Sequence, residues 1–518
     1  MKNYYRCISP VLALILLLIS AVYCMQCNNA SVIEKYTSVQ RLPGIVPDYT
    51  GSVIPSNIAP LNFIVNESGV YYYIKIYSTQ GKGIEISSNT SKIVIPIGPW
   101  KKLLNANRGH ELCFDVYVKK TNGTWMRFET ITNTIAEEAI DGYLAYRIIN
   151  PLYNIYMDIN IHQRNLQNYD ESVILSNNFI NNGCVNCHTF LNNSSDNMLM
   201  HTRGWGSSGV AMILARNGVV RIVNSRTSLL GSAPMAYSSW HPSGRIIAFS
   251  VNKVYQFQHS AGSEVRDVID LYSELGIYSI DLDTVLTPAN ISREDRLETY
   301  PTWSPDGRYL YFCSAPILWS KDNESWPPVH YKEVKYDLMK ISYDMETNVW
   351  GEPETVLSAD LTGKSIMIPR ISPDGRFLLF CMCEYGCFPI FQPSSDLYLM
   401  NMETGQYRKL DINSEYSESW HSWSSNSRWI VFSSKRMEGL LTRSFISYVD
   451  EAGKVYKPFV LPQKDPGFYN SFLKTFSVPE FIKEPVRLSK RDIMKAQPYH
   501  PKIENKYVIT DSSKGRFY

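Results

Sequence analysis

The chain lacks a charge excess of either sign. Its 518 residues carry 51 Lys and Arg against 49 Asp and Glu, a formal net charge of +2 at pH 7. No basic stripe stands out, so the electrostatic footprint of a nucleic-acid binder is missing and nucleic acid is excluded as a partner. Long apolar runs are absent beyond about residue 28, so no later segment reaches transmembrane length. There is no Gly-x-Ser-x-Gly nucleophile elbow and no evident carboxylate pair, and the chain is read as a non-enzyme. Gly204-Trp-Gly206-Ser-Ser-Gly209 has G-x-G-x-x-G spacing, but no strand-then-helix context surrounds it, and it reads as the opening of a sheet.

What is abundant points to β structure. Aromatic residues reach 13%, with 35 Tyr and 11 Trp, and 28 Gly with 28 Pro punctuate the chain. That composition favours many short strands joined by turns. The length allows two or three domains. Residues 1–27 read as an export signal: Lys2 and Arg6 precede an apolar stretch from Val11 to Val22 that suits a signal-peptide core. Cys24 stands where a lipoprotein signal places its acylated cysteine; simple cleavage and an uncleaved anchor are the alternatives.

Residues 45–135 read as an immunoglobulin-like β-sandwich. Ile74 and Ile76 alternate with Tyr73, Lys75 and Tyr77, and Ile93, Ile95 and Ile97 continue the pattern. Residues 136–204 read as a connecting region holding a strand near Ile159, a segment with helical character at Glu171 to Ile180, and a Cys-x-x-Cys-His string. Residues 486–518 form a tail.

Between 205 and 485 the sequence repeats. Tyr237-Ser-Ser-Trp240-His-Pro-Ser-Gly244-Arg245 leads to Phe249. Tyr300-Pro-Thr-Trp303-Ser-Pro-Asp306-Gly307-Arg308 leads to Phe312. Ile368-Pro-Arg-Ile371-Ser-Pro-Asp374-Gly375-Arg376 leads to Phe380, and Trp420-His-Ser-Trp423-Ser-Ser-Asn426-Ser427-Arg428 leads to Phe432. In each copy a strand ends, a tight turn follows (Pro-Asp-Gly in the second and third copies, Pro-Ser-Gly in the first, Ser-Asn-Ser in the fourth), and an apolar strand returns. No copy can bury both faces alone, so copies must stack, and radial stacking of four-stranded sheets gives a propeller. A degenerate copy at Val210 to Ile222 and material from Phe445 onward bring the expected number of blades to six. Cys313 and Cys381 align with Ser250 and Ser433, so packing explains them better than a disulfide. Cys383 and Cys387 can close a small loop or stay free thiols. His241 and His421 each follow a repeat Trp and read as satisfied turn residues.

The sharpest local signal is Cys184-x-x-Cys187-His188. Its spacing lets two thiols reach the haem vinyl groups while the imidazole reaches iron, so haem c is the expected cofactor. A disulfide followed by an incidental His, or a zinc half-site, are the competing readings. With haem, His188 is the proximal ligand, and Met198, Met200 or His201 is the candidate distal ligand.

The repeats, together with Ile58-Ala-Pro-Leu-Asn-Phe63, Asp141-Gly-Tyr-Leu-Ala-Tyr-Arg147, Cys184 to Thr189 and Trp240 to Asn252, resemble exported TolB-like proteins, a group often labelled cytochrome c biogenesis proteins. The resemblance implies an all-β chain with an N-terminal sandwich, a six-bladed TolB-like β-propeller, and a lipid-anchored place in the periplasm or at the outer membrane. Two functions are open at this point. One is a non-catalytic platform for envelope protein or glycan partners; the other is a monohaem electron carrier that docks through its propeller.

Overall fold

The computed structural model describes residues 33–151, 158–204, 209–225, 234–260, 264, 266–288, 290–319, 329–496, 498–499 and 502–503. The expectations for residues 1–27, including Cys24, and for the end of the tail lie outside the described residues, as does most of the Gly204–Gly209 string. Strand makes up 48% and helix 9%, which settles the class as all-β.

The N-terminal part holds two sheets. Seven strands, including Tyr71–Tyr77, Ile84–Ser88, Glu111–Lys119 and Ile131–Ile135, form the larger, and Ile45–Val46, Phe63–Val65 and Lys92–Ile93 the smaller. The alternation at Ile93, Ile95 and Ile97 is not one strand. It stops at Ile93, and after Pro96 a helix runs over Ile97–Ala106. Proline presets the φ with which a helix begins, and Trp100, Leu103 and Leu104 at helical spacing go into the core.

Six further sheets follow a common plan: an inner strand, then three strands paired antiparallel in succession. The inner strands are β1 (Cys184–Phe190), β2 (Met235–Trp240), β3 (Arg296–Trp303), β4 (Ser365–Ile371), β5 (Glu418–Trp423) and β6 (Thr475–Ile482). Each inner strand packs against the next in order, and β6 packs against β1, a propeller-like arrangement. Between neighbouring sheets the repeat residues make the core. Phe249, Phe380 and Phe432 are fully buried, and Leu199, Trp240, Phe249 and Tyr278 share one cluster. Burying such an apolar side chain contributes about 1.5–3 kcal/mol, so the stacking of sheets holds the ring.

The turns behave as the repeat predicts. Gly244, Gly307 and Gly375 have φ of 67°, 75° and 75°, and Ser427 takes the same place with φ 61°. In the second copy the Ser304 hydroxyl donates to Asp306 Oδ1 at 2.6 Å and accepts from the Tyr309 N–H at 3.0 Å. Ser372 with Asp374 and Ser424 with Asn426 repeat the contact.

Three further expectations are corrected. Residues 136–204 are not a connector: Tyr143–Ile149, Asn160–Asn165 and Glu171–Ser176 are the outer strands of the sheet whose inner strand is β6, and β1 begins the next sheet at Cys184. The segment with helical character is strand to Ser176, with one 3-10 turn at Asn177–Ile180. His421 lies within β5 rather than in the turn after it.

Candidate functional site

Every inner strand is interrupted by the same device. Two of its residues bulge opposite a single residue of the second strand: Tyr237-Ser238 opposite Phe249, Tyr300-Pro301 opposite Phe312, Ile368-Pro369 opposite Phe380, and Trp420-His421 opposite Phe432. Asn186-Cys187 opposite His201 and Val478-Pro479 opposite Tyr146 complete the set. His201 and Tyr146 therefore hold the place that Phe holds in the four legible repeats.

A bulge re-aims side chains. Tyr237, Tyr300, Ile368, Trp420 and Val478, the first bulge residues of five strands, have φ between 43° and 53°. Such backbone is costly for non-glycine residues, above all for β-branched Ile368 and Val478. It is maintained where their side chains converge on the axis. Ring centroids lie 4.4 Å apart for Tyr237 and Tyr300, 5.9 Å for Tyr300 and Trp420, and 6.0 Å for Tyr237 and Trp420. The Tyr300 hydroxyl donates to the Cys387 carbonyl at 2.8 Å. Together these residues plug the axis. In β1 the first bulge residue is Asn186, whose side-chain oxygen accepts from Arg147.

Beside the plug, Cys187, His188 and Arg370 line a cavity of about 30 Å³, room for a water or two. Beyond it lies a mouth of about 340 Å³ that shares Thr189 and Arg370 with the inner cavity. Side chains from all six sheets meet there, among them Ser239, Thr302, Arg370, Ser422 and Glu480. Asn193 shapes the rim: its amide donates to the Trp423 carbonyl at 3.0 Å and to the Phe481 carbonyl at 2.9 Å.

The charges at this site are unusual. Arg370 Nη2 donates to Glu480 Oε1 at 3.3 Å. Burial nevertheless pushes the Glu480 carboxyl up to about 7, against the opposing pull of Arg370, the Thr189 hydroxyl and the Phe190 N–H. His188 is 2% exposed. Burial first, then the nearby Arg147 and Arg370 guanidinium groups, bring it down to about 3. The Ala145 and Val478 backbone oppose that shift, yet neither ring nitrogen makes a hydrogen bond of ordinary geometry. At neutral pH the ring is therefore uncharged.

No protein-family model matches the chain, and no curated protein does. Solved structures similar to it include propeller-like folds. A putative 6-phosphogluconolactonase from Bacteroides uniformis is 10% identical, with 80% of this chain and 98% of that chain covered and a TM-score of 0.31. An oligogalacturonate lyase in complex with manganese is 12% identical, with 74% and 99% covered and a TM-score of 0.30. The Dos1 propeller is 14% identical, with 45% and 63% covered and a TM-score of 0.26. Enzymes stand among these neighbours, and likeness this loose does not choose a function.

The Cys-x-x-Cys-His triad lies on β1 and does not fit a haem as the chain folds here. His188 pairs directly with Met200 and Phe190 with Met198 across the strands. Directly opposed side chains stand about 4.5–5.5 Å apart, so no macrocycle can pass between His188 and Met200. Met198 and Met200 are fully buried in the core between the first and last sheets, and Cys184 packs at its edge. His201 Nε2 hydrogen-bonds with the Ser238 hydroxyl at 2.8 Å. The space at Cys187 and His188 is about 30 Å³, against about 300–1,000 Å³ for ordinary ligand pockets. Among the described residues no group of three or more His, Cys, Asp and Glu is placed to hold a metal ion. Cys113, Cys184, Cys187, Cys313, Cys381, Cys383 and Cys387 are free thiols, so neither the triad nor the Cys383–Cys387 loop closes a disulfide.

His241 is satisfied: Nδ1 pairs with the Ser243 hydroxyl at 2.7 Å and Nε2 with the Gly307 carbonyl at 3.1 Å. The mouth residues Arg370, Glu480, Lys483 and Asn193 are absent from the sequence reading. Arg370 had a signal, since it stands where the aligned copies carry Ser239, Thr302 and Ser422. Glu480 and Lys483 had none, because β6 lacks the turn motif.

Proposed function

We propose that the six sheets form a six-bladed, TolB-like propeller behind an immunoglobulin-like sandwich, and that the protein is a non-catalytic binding platform whose axial mouth receives a protein or glycan partner. The observation that carries this reading is the mouth itself: a polar space on the axis, contributed to by all six sheets and backed by an aromatic plug. A concave site with a few convergent polar groups is the default place for recognition on a rigid scaffold. The inner strands packed in cyclic order support closure of the ring. Lys2, Arg6, the apolar run to Val22 and Cys24 support export and lipid attachment in the envelope.

The test is a thermal-shift screen of envelope glycans and peptides on the full chain, beside Pro373→Trp. Pro373 is an exposed turn residue lining the mouth. Ligands that raise the melting temperature of the parent and not of the variant support the reading. Ligands that stabilise both equally place recognition elsewhere, and turnover of a bound ligand makes the protein an enzyme.

A further inference from the structure

Three features of the mouth narrow the chemistry of its occupant. Arg370 makes one side-chain hydrogen bond among the described residues, the 3.3 Å contact to Glu480, and most of its planar donor fork is left for a ligand. Lys483, exposed at the same rim, adds a second cation. Around them stand hydroxyl groups, and that of Ser422 is buried without a partner while lining the space.

We propose that the axial mouth binds a small hydroxylated carboxylate, an acidic sugar in chemical class, with its carboxylate on Arg370 and its hydroxyls on Ser422 and neighbouring polar groups. This rests on the mouth being the recognition site. The guanidinium fork matches a carboxylate in two parallel bonds, a geometry that a neutral sugar cannot use. Buried donors and acceptors left unpaired are costly, and a ligand that carries several hydroxyls satisfies them. Size agrees: about 340 Å³ lies at the small end of ligand pockets and suits one sugar ring. The plug and the 30 Å³ inner cavity stop the ligand at the level of Arg370. The incoming carboxylate competes with Glu480 for Arg370, which is held to Glu480 by a single contact.

The experiment is isothermal titration of the full chain with glucuronate, glucose and inorganic phosphate. Glucuronate is expected to bind saturably, and glucose and phosphate at least about tenfold more weakly, the scale of a lost charge-assisted hydrogen bond. Arg370→Gln should weaken glucuronate by about tenfold or more. Lys483→Gln, at an exposed position that leaves the core untouched, should weaken it by about threefold and keeps the test valid if the Arg370 variant fails to fold. Glucose or phosphate binding as well as glucuronate would overturn the assignment. If glucuronate does not bind while another ligand is blocked by Pro373→Trp, the ligand class is wrong and the mouth stands. If Pro373→Trp blocks nothing, both fall.

Discussion

Replacing Glu480 by Gln should change how stability depends on pH. In the folded chain burial keeps the Glu480 proton on until about pH 7, whereas its ordinary value is 4.5. Between these values the unfolded chain binds fewer protons than the folded one, so stability falls as pH rises. The loss is absent below about pH 4.5 and complete above about pH 7, and it amounts to about 3 kcal/mol. Gln keeps the shape of the side chain and an acceptor for Arg370 and carries no charge at any pH. Urea unfolding of both proteins, followed by tryptophan fluorescence from pH 4 to 8, reads the difference. Buried Asp270, pushed up to about 7, tilts both proteins alike and cancels. The variant should gain on the parent by about 3 kcal/mol between pH 4 and pH 8, with the change centred between 4.5 and 7. Parallel profiles would refute the reasoning, because they would mean that Glu480 is solvated or paired well enough to ionise normally.

Other substitutions test other parts of the ring. A Cβ at Gly307 would lie 2.4 Å from His241 Nε2, while one at Gly375 meets nothing within 4 Å, and both residues have φ of 75°. Gly375→Ala should cost about 1 kcal/mol and Gly307→Ala about 3 kcal/mol in denaturant unfolding; equal losses would mean that the His241 contact is not formed. Tyr300→Phe removes the donor to the Cys387 carbonyl and should lower stability by about 1 kcal/mol, with no effect pointing to an open axis. Expressed with c-type maturation factors, the protein should give no pyridine haemochrome band, and covalent haem on Cys184 and Cys187 would require β1 to leave the fold described.

The repeats were legible because their turns are. Pro-Asp-Gly after β3 and β4, with its variants Pro-Ser-Gly after β2 and Ser-Asn-Ser after β5, needs few neighbours to make sense, and it located those four sheets. The two others carry no such turn. The degenerate copy at Val210 to Ile222 marked outer strands of the first, and the material from Phe445 onward holds the inner strand of the second. With His201 and Tyr146 at the key position in place of Phe, however, their register of bulges shows only in three dimensions. The sheet of β6 was beyond sequence reasoning for a further reason: its strands come from opposite ends of the ring, and pairing across that separation leaves no local periodicity. Residues 143–176 therefore read as a connector. Cys184, Cys187 and His188 show the reverse problem. Their spacing has a chemical meaning only if the flanks leave room for a macrocycle, and the alternation that buries Met198 and Met200 beside them takes that room away. Arg370 was visible as a charge at a hydroxyl position of the repeat, whereas the convergence of Arg370, Glu480 and Lys483 depends on ring closure.

Closure is therefore the point to measure. Ile149 and Thr475 are register partners on the two strands that join the ends of the ring. A chain carrying Ile149→Cys and Thr475→Cys, oxidised and digested, should yield one disulfide-linked pair of peptides containing positions 149 and 475. If those two cysteines stay reduced, or scramble among other partners, the ends do not meet as described and the axial mouth has no basis.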